Sequence, residues 1–405
     1  MILPMSFWFL SPRRIYLDNA AATPLIPAAR VAMQPWLTKS YGNASAIHEE
    51  GKAARRAVEA AREKIARVLE VKSGSVFFTG SGTESNNLAI LGHLKQRHLD
   101  GLAYSDMEVL TTPIEHPSIM ALIPELESLG VVVRLVPVNE VGRVTKTALT
   151  SVLSPKTVLI TFAYGNSEVG VVQPVHQLVR LIREHEKVHG THVQIHLDAA
   201  QAPLYLPCSF SPLGVDSIAL DAGKCGGPKG VGILGLRERE CLTSISYGGG
   251  QEGGLRPGTE NVAGIVGAAV AISAAEAGQV KRATAVTAVR DAGLQYIAER
   301  LPQAVVNGPV GAERLANNIN ISLPGFDTEY AVVWLDKHGV AASTKSACAG
   351  AGGGKSHVVL ALTHDEARAS STIRLSLGEA TTVKELKRAI DILATYCLKM
   401  KGLTK

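Results

Sequence analysis

Between residues 50 and 70, Ala54, Val58, Ala61, Ile65 and Val68 recur at spacings of four and three, with Arg, Lys and Glu between them. That period predicts an amphipathic helix. A short apolar run, Val76-Phe-Phe-Thr79, reads as a strand and leads into Gly80-Ser-Gly-Thr-Glu-Ser-Asn-Asn87 as a turn, with a helix from Leu88. The alternation then continues. Strands are predicted over 108–112, 131–136, 157–162 and 193–197, and helices over 117–129 and 174–189. Strands alternating with helices predict an α/β fold with a mostly parallel sheet covered on both faces. An Ala-rich helical stretch over 264–300 joins this part to a smaller α+β C-terminal part, with strands over 318–323 and 373–376 and a helix over 332–336.

Parallel sheets carry their sites at the carboxyl ends of the strands. Thr83, His116, Asn166, Asp198 and Lys224 all fall at such ends. The turn over 80–87, between a strand and a helix, has the form that presents backbone N–H groups to an anion, or that of an ordinary capped loop.

Composition narrows the picture. The chain has 405 residues, 46% hydrophobic and 19% charged, which is ordinary for a globular protein of two domains or one large domain plus a smaller one. A net charge of +5 without a long Lys/Arg run argues against nucleic-acid binding. The five cysteines are odd in number and contain no C-x-x-C, which argues against a disulfide framework or a zinc ribbon and favours a reducing, cytoplasmic setting. The apolar start, Met1 to Leu10, lacks a basic leader and a small-residue cleavage site, so it reads as a short packing arm rather than a signal peptide. No run of 18 apolar residues suggests a membrane span.

The most informative chemistry is the pair His196-Leu-Asp-Ala-Ala-Gln201 and Asp221-Ala-Gly-Lys-Cys-Gly-Gly-Pro-Lys-Gly230. An apolar strand ending in Asp198, followed by an apolar run ending in Lys224 before a glycine-rich turn, suits pyridoxal 5′-phosphate (PLP). Lys224 would bond to the aldehyde, and Asp198 would hold the pyridine nitrogen protonated so that the ring takes up electrons. A lysine drawn toward an apolar strand end is costly without such a partner.

Further motifs are Tyr16-Leu-Asp-Asn-Ala-Ala-Ala-Thr-Pro24, Glu115-His-Pro-Ser118, Asn166-Ser-Glu-Val-Gly170, Leu255-Arg-Pro-Gly-Thr-Glu-Asn261, Ser346-Ala-Cys348 and Ser371-Thr-Ile-Arg-Leu-Ser376. With the two above, the chain resembles the cysteine desulfurases of the NifS/IscS branch of the class V aminotransferase superfamily, from about residue 15 to 385. The resemblance implies a fold-type I PLP enzyme with a large domain over 25–275. A small domain over 1–24 and 276–405 would carry a catalytic cysteine loop at about 343–370. It implies a homodimer that converts L-cysteine to L-alanine. The sulfur would be held as a persulfide on Cys348 and passed to an acceptor protein for iron–sulfur cluster assembly or to tRNA thiolation. By the same resemblance Lys224 binds the cofactor covalently, Asp198 partners its ring nitrogen, and His116 stacks on the ring and shuttles protons. Asn166 and Gln201 lie near the ring hydroxyl, with Asn166 also facing the substrate. Gly82 and Thr83 form the phosphate turn, Thr259 reaches the phosphate from the neighbouring subunit, and Arg374 grips the substrate carboxylate, a task suited to a guanidinium fork. No metal is implied.

Each role has a plainer alternative. Cys348 could be an inert thiol, His116 a satisfied core histidine and Arg374 a structural ion-pair partner. Cys225 reads as core filler. Rival functions are a selenocysteine lyase, a small-substrate class V aminotransferase, and a non-catalytic paralogue. The chain also departs from the family. Asp221 and Gly223 stand where the pattern before the lysine has Ser and His, so two phosphate donors are missing and a carboxylate is added. Gly253 replaces an arginine, and Lys345 replaces a glycine three residues before Cys348, where it could lower the thiol pKa.

Overall fold

A computed structural model describes residues 14–344 and 354–403. Its strands, in chain order, are β1 (Ile15–Tyr16), β2 (Val76–Thr79), β3 (Glu108–Thr111), β4 (Val132–Leu135), β5 (Thr157–Ala163), β6 (Gln194–Asp198), β7 (Ser217–Asp221), β8 (Gly232–Leu236), β9 (Val305–Val306), β10 (Asn318–Ser322), β11 (Val340–Ala341) and β12 (Thr372–Ser376). Seven of them form one sheet in the order β2-β8-β7-β6-β5-β3-β4. β8 runs antiparallel to both neighbours and the other pairings are parallel. The α/β, mostly parallel architecture expected from the alternating pattern is therefore present. β5, β6 and β7 are buried along nearly their whole length, which is why they read as unbroken apolar runs rather than alternating ones.

The helix Glu49–Leu69 packs Ala54, Val58, Ala61 and Ile65 on the core of this sheet and ends in a left-handed Glu70. Two local expectations are corrected. The helix after β2 starts at Gly82, not Leu88, because the Ser81 side chain accepts the Glu84 N–H and caps it there. The stretch 117–129 is two short helices, Pro117–Met120 and Ile123–Ser128, because Pro124 cannot supply the N–H that a continuous helix would need. The Ala-rich stretch is also two helices, Val262–Ala277 and Gln279–Arg300, bent by 71° between them. Among the described residues no single helix is long and apolar enough to cross a membrane.

A second, three-stranded antiparallel sheet, β12-β10-β9, packs with Gln279–Arg300, Thr328–Lys337 and the C-terminal helix Val383–Leu403 around Ile319, Leu335, Leu375, Leu386 and Leu393. Polar contacts join the two sheets at the site. The side-chain amides of Asn318 and Asn320 both donate to the Glu168 carbonyl, at 2.9 and 3.0 Å.

The loop after β8 is held by a buried ion pair. Arg62 donates to both Glu252 oxygens, at 2.7 and 2.8 Å, and Glu252 also accepts the Phe78 N–H at 2.8 Å. Burial disfavours the Arg62 cation, but its bonds to Glu252 outweigh this and raise its pKa. Glu252 adopts a positive φ of 48°, a strain this pairing must hold. Glu252→Ala leaves Arg62 only the more exposed Glu59, at 3.3 Å, and is expected to cost about 3–5 kcal/mol in chemical denaturation. Replacing both residues with apolar ones should recover most of that loss. A single-variant loss below about 1 kcal/mol would mean that the pair does not anchor the loop.

Candidate active site

The sheet order reverses between β3 and β5, and in open α/β sheets the crevice for a ligand opens there. A cleft at that point is lined by Glu115, His116, Asn166, Asp198, Gln201 and Lys224, among others. The fold thus brings five sequence-selected residues, His116, Asn166, Asp198, Gln201 and Lys224, to one cleft.

Asp198 ends β6 and is 7% exposed. Its Oδ1 accepts the Ala200 N–H at 3.0 Å and its Oδ2 accepts the Asn86 side-chain amide at 2.9 Å. Asn86 sits on the helix Gly82–Leu99 and spends every polar atom in this region. Its Nδ2 also donates to Ser118 Oγ at 2.9 Å, and its Oδ1 accepts from His196 Nε2 at 3.0 Å. His196 Nδ1 in turn accepts from Ser217 Oγ at 2.9 Å. Burial pushes His196 down to about 4, so it stays neutral and hydrogen-bonds without adding charge beside Asp198.

His116 caps the Pro117–Met120 turn. Its Nδ1 accepts the Ser118 N–H at 3.1 Å and lies 2.9 Å from Ser118 Oγ. The proton of the neutral ring is therefore on Nε2. Burial, then the Lys224 charge, lowers its pKa, which keeps the ring neutral near pH 7. Glu115, next to it, is pushed up to about 8 by burial, with the Asp198 charge adding to the rise, so it is a neutral acid at pH 7. Lys224 ends the turn after β7, half-buried. Among the described residues no carboxylate lies within ion-pair distance of its amine. Cys225 faces away, its Sγ turned to the Asp221 and Ala222 carbonyls, and burial raises its pKa, so it is core filler.

Asn166 uses Oδ1 for the Glu168 and Val169 N–H groups, both at 2.9 Å, and Nδ2 for the Ile114 carbonyl at 2.8 Å. It holds the loop after β5 in shape and leaves one amide hydrogen for the cleft. Gln201 donates to the Ala20 carbonyl at 2.8 Å. Arg374, on β12, is buried. Nη2 binds Asp18 Oδ1 at 2.9 Å and Nη1 the Ser167 carbonyl at 3.1 Å, while Nε has no hydrogen-bond partner among the described residues. The fork expected to be free for a substrate is thus partly committed to Asp18. Thr83 and Thr259 are exposed and line no part of this cleft.

Cys348 and Lys345 lie outside the described residues. The described chain after them is tied to the cleft, and the chain before them to Arg374, which does not line it. Ser343 exchanges two backbone hydrogen bonds with Arg374, at 3.2 and 2.7 Å. Ser356 Oγ donates to the Glu168 carboxylate, and His357 Nε2 donates to the Glu115 carbonyl at 3.0 Å.

The ring end of this site fits PLP. A buried carboxylate held by two donors faces the same space as an unpaired lysine amine, with a neutral histidine and Gln201 beside them. The phosphate end is altered, because the Gly82 N–H is already taken by Asp221. The residues that sequence reasoning missed are Asn86, Ser118, Ser217, Glu115 and Asp18. His196 carried a signal for part of this set. It is a polar residue inside an otherwise apolar strand, and such a group needs buried partners.

The Aminotransferase class-V family model matches residues 15–389. A cysteine desulfurase IscS of Dictyoglomus turgidum is 36% identical over 392 residues, covering 97% of this chain and 96% of the relative. A solved NifS-like protein superposes with a TM-score of 0.86 at 30% identity, covering 95% of this chain and 99% of that one. SspA solved in complex with cysteine gives a TM-score of 0.74 at 29% identity, covering 91% of this chain and all of the other. A family match over nearly the whole length, on a fold that brings His116, Asn166, Asp198, Gln201 and Lys224 to one cleft, places this chain in the class V aminotransferase family.

Proposed function

We propose that this protein is a PLP-dependent cysteine desulfurase that converts L-cysteine to L-alanine and leaves the sulfur as a persulfide on Cys348. The observation that carries the reading is the cleft itself. Asp198 and Lys224 face one space, and Ser356 and His357, which follow the Cys348 segment, bond to Glu168 and Glu115 in its wall. An aminotransferase has no use for a thiol carried there. The relatives named cysteine desulfurase and the cysteine-bound structural neighbour support the same substrate.

The cofactor, when bound, accepts the electron pair left when the substrate Cα loses its proton. Asp198 would partner the ring nitrogen, and Asn86, itself braced by His196 and Ser217, holds its carboxylate in place. Lys224 would hold the cofactor covalently, and its amine would be the base that takes the substrate Cα proton. His116, which lines the same cleft with its proton on Nε2, would sit beside the cofactor and hand over that proton. Arg374 takes the substrate carboxylate once Asp18 yields part of the fork. The Cys348 thiolate attacks the substrate sulfur. An S–S bond forms, the Cβ–S bond breaks, and the three-carbon fragment gains protons to leave as alanine. L-cysteine plus the enzyme thiol thus become alanine plus the enzyme persulfide.

A homodimer suits this reading. Tyr41 and Ile47 are 82% and 88% exposed, and Thr259 is exposed and outside its own cleft, as expected of surfaces that meet a second copy. We place residues 25–275 in the cofactor-binding unit and the enzyme in the cytoplasm, passing sulfur to an iron–sulfur scaffold or to tRNA thiolation.

Incubation with L-cysteine and a reductant should yield alanine and sulfide in equal amounts with no α-keto acid added. Alanine that appears only with an α-keto acid would make the protein an aminotransferase. Lys224→Ala should abolish the reaction, and near wild-type turnover in that variant would remove Lys224 from its role. Asn86→Ala strips one donor from the buried Asp198 carboxylate, a loss of about 1.5–3 kcal/mol. Turnover should fall roughly ten- to hundredfold with the cofactor still bound. Unchanged kcat would show that Asp198 does not depend on Asn86.

A further inference from the structure

The start of the helix Gly82–Leu99 adjoins the cleft, and a helix start is where backbone N–H groups accept an anion. In this chain an anion of its own is already there. Asp221 Oδ2 accepts the Gly82 N–H at 3.2 Å, while Oδ1 accepts the Gly223 N–H at 2.9 Å. The packing leaves little slack. A Cβ built on Gly82 would stand 3.3 Å from Asp221 Cβ, 3.4 Å from its Oδ2 and 3.8 Å from Ala200 Cβ, and Ala200 lines the cleft. Carboxylate, helix start and cleft wall are therefore in contact. Among the described residues Asp221 forms no ion pair that would cancel its charge. The next position that could offer a donor side chain to a phosphate is Gly223, which has none. A Cβ there would meet Asp221 Oδ1 at 3.3 Å and the Lys229 side chain at 3.5 Å.

We propose that Asp221 is an affinity- and specificity-determining residue for the cofactor. Its carboxylate holds the Gly82 N–H in place of the 5′-phosphate. The phosphate then adds little to binding, and the cofactor is held chiefly through its ring and its bond to Lys224. An arriving phosphate must displace the carboxylate from Gly82 or bear its repulsion at close range, where two like charges interact strongly. In the cofactor-free protein the same carboxylate satisfies Gly82, so the helix start is complete without a ligand. The inference rests on the PLP-dependent reading of the site.

The test compares PLP with pyridoxal, which lacks the phosphate. Full-length protein is stripped of cofactor and titrated with each, following the visible absorbance of the bound cofactor and the tryptophan fluorescence. Wild type should prefer PLP over pyridoxal by less than about a hundredfold, well short of what several charge-assisted hydrogen bonds supply. Asp221→Asn removes the charge and keeps an acceptor for the Gly223 N–H. It should bind PLP about tenfold or more tightly, with pyridoxal changed by less than about threefold. Asp221→Ser should do the same. A wild-type preference above about a hundredfold overturns the proposal, as do variants that bind PLP no more tightly or that tighten both probes equally. The wild-type comparison needs no variant, so a folding defect in either one leaves the proposal decidable. If neither probe produces a visible band with wild type, the PLP reading itself fails, an outcome distinct from those above.

Discussion

A carboxylate at the end of a buried parallel strand must be kept charged in the wall of a cleft, and most of the site follows from that constraint. Asp198 is taken out of water by β5 and β7 on either side of it. An uncompensated buried charge costs several kcal/mol, so its oxygens need donors. One comes from the backbone of Ala200 and one from Asn86. Asn86 can serve only if its own carbonyl oxygen is satisfied, which requires the neutral His196 and, behind it, Ser217. The remaining amide hydrogen reaches Ser118, which fixes His116. One helix and loops from two strands are thereby registered to each other within hydrogen-bond tolerance. That precision suits a reaction in which the ring, the lysine and the histidine must stay aligned.

The second sheet contributes the other half of the arrangement. Arg374 crosses to Asp18 and Ser167, and Asn318 and Asn320 cross to Glu168. Arg374 also binds the Ser343 backbone and Glu168 the Ser356 hydroxyl, so the same residues position the described chain on both sides of 345–353. The pairing of Arg374 with Asp18 keeps the buried guanidinium from standing bare. If Arg374 takes the substrate carboxylate, as proposed, binding would exchange one carboxylate for another.

The periodic pattern made the architecture legible. The helix that buries Ala54, Val58, Ala61 and Ile65 and the runs that became β5 and β6 all stood out, since burial on one face or on both imposes a readable spacing. Boundaries set by a single bond were not legible. The helix start at Gly82 depends on the Ser81 cap, and the break before Ile123 on Pro124. The C-terminal helix Val383–Leu403 was passed over because its stretch carried no motif. Asp198, Lys224 and His116 stand out in the sequence as residue types at strand ends, and the fold brings them to one cleft. Their supports do not stand out, because Asn86, Ser118 and Ser217 meet only through tertiary packing. Asp221 stood out as a departure, yet its attachment to Gly82, far away in sequence, needed coordinates.

On the proposed function, the cleft delivers substrate sulfur to one thiol of this chain. Mass spectrometry after brief exposure of the wild-type protein to L-cysteine tests it most directly. The account predicts one added sulfur, located on Cys348, and none on that segment in Cys348→Ala. Sulfur found on Cys225 or Cys397 instead, or full alanine production with no sulfur on any cysteine, would contradict it.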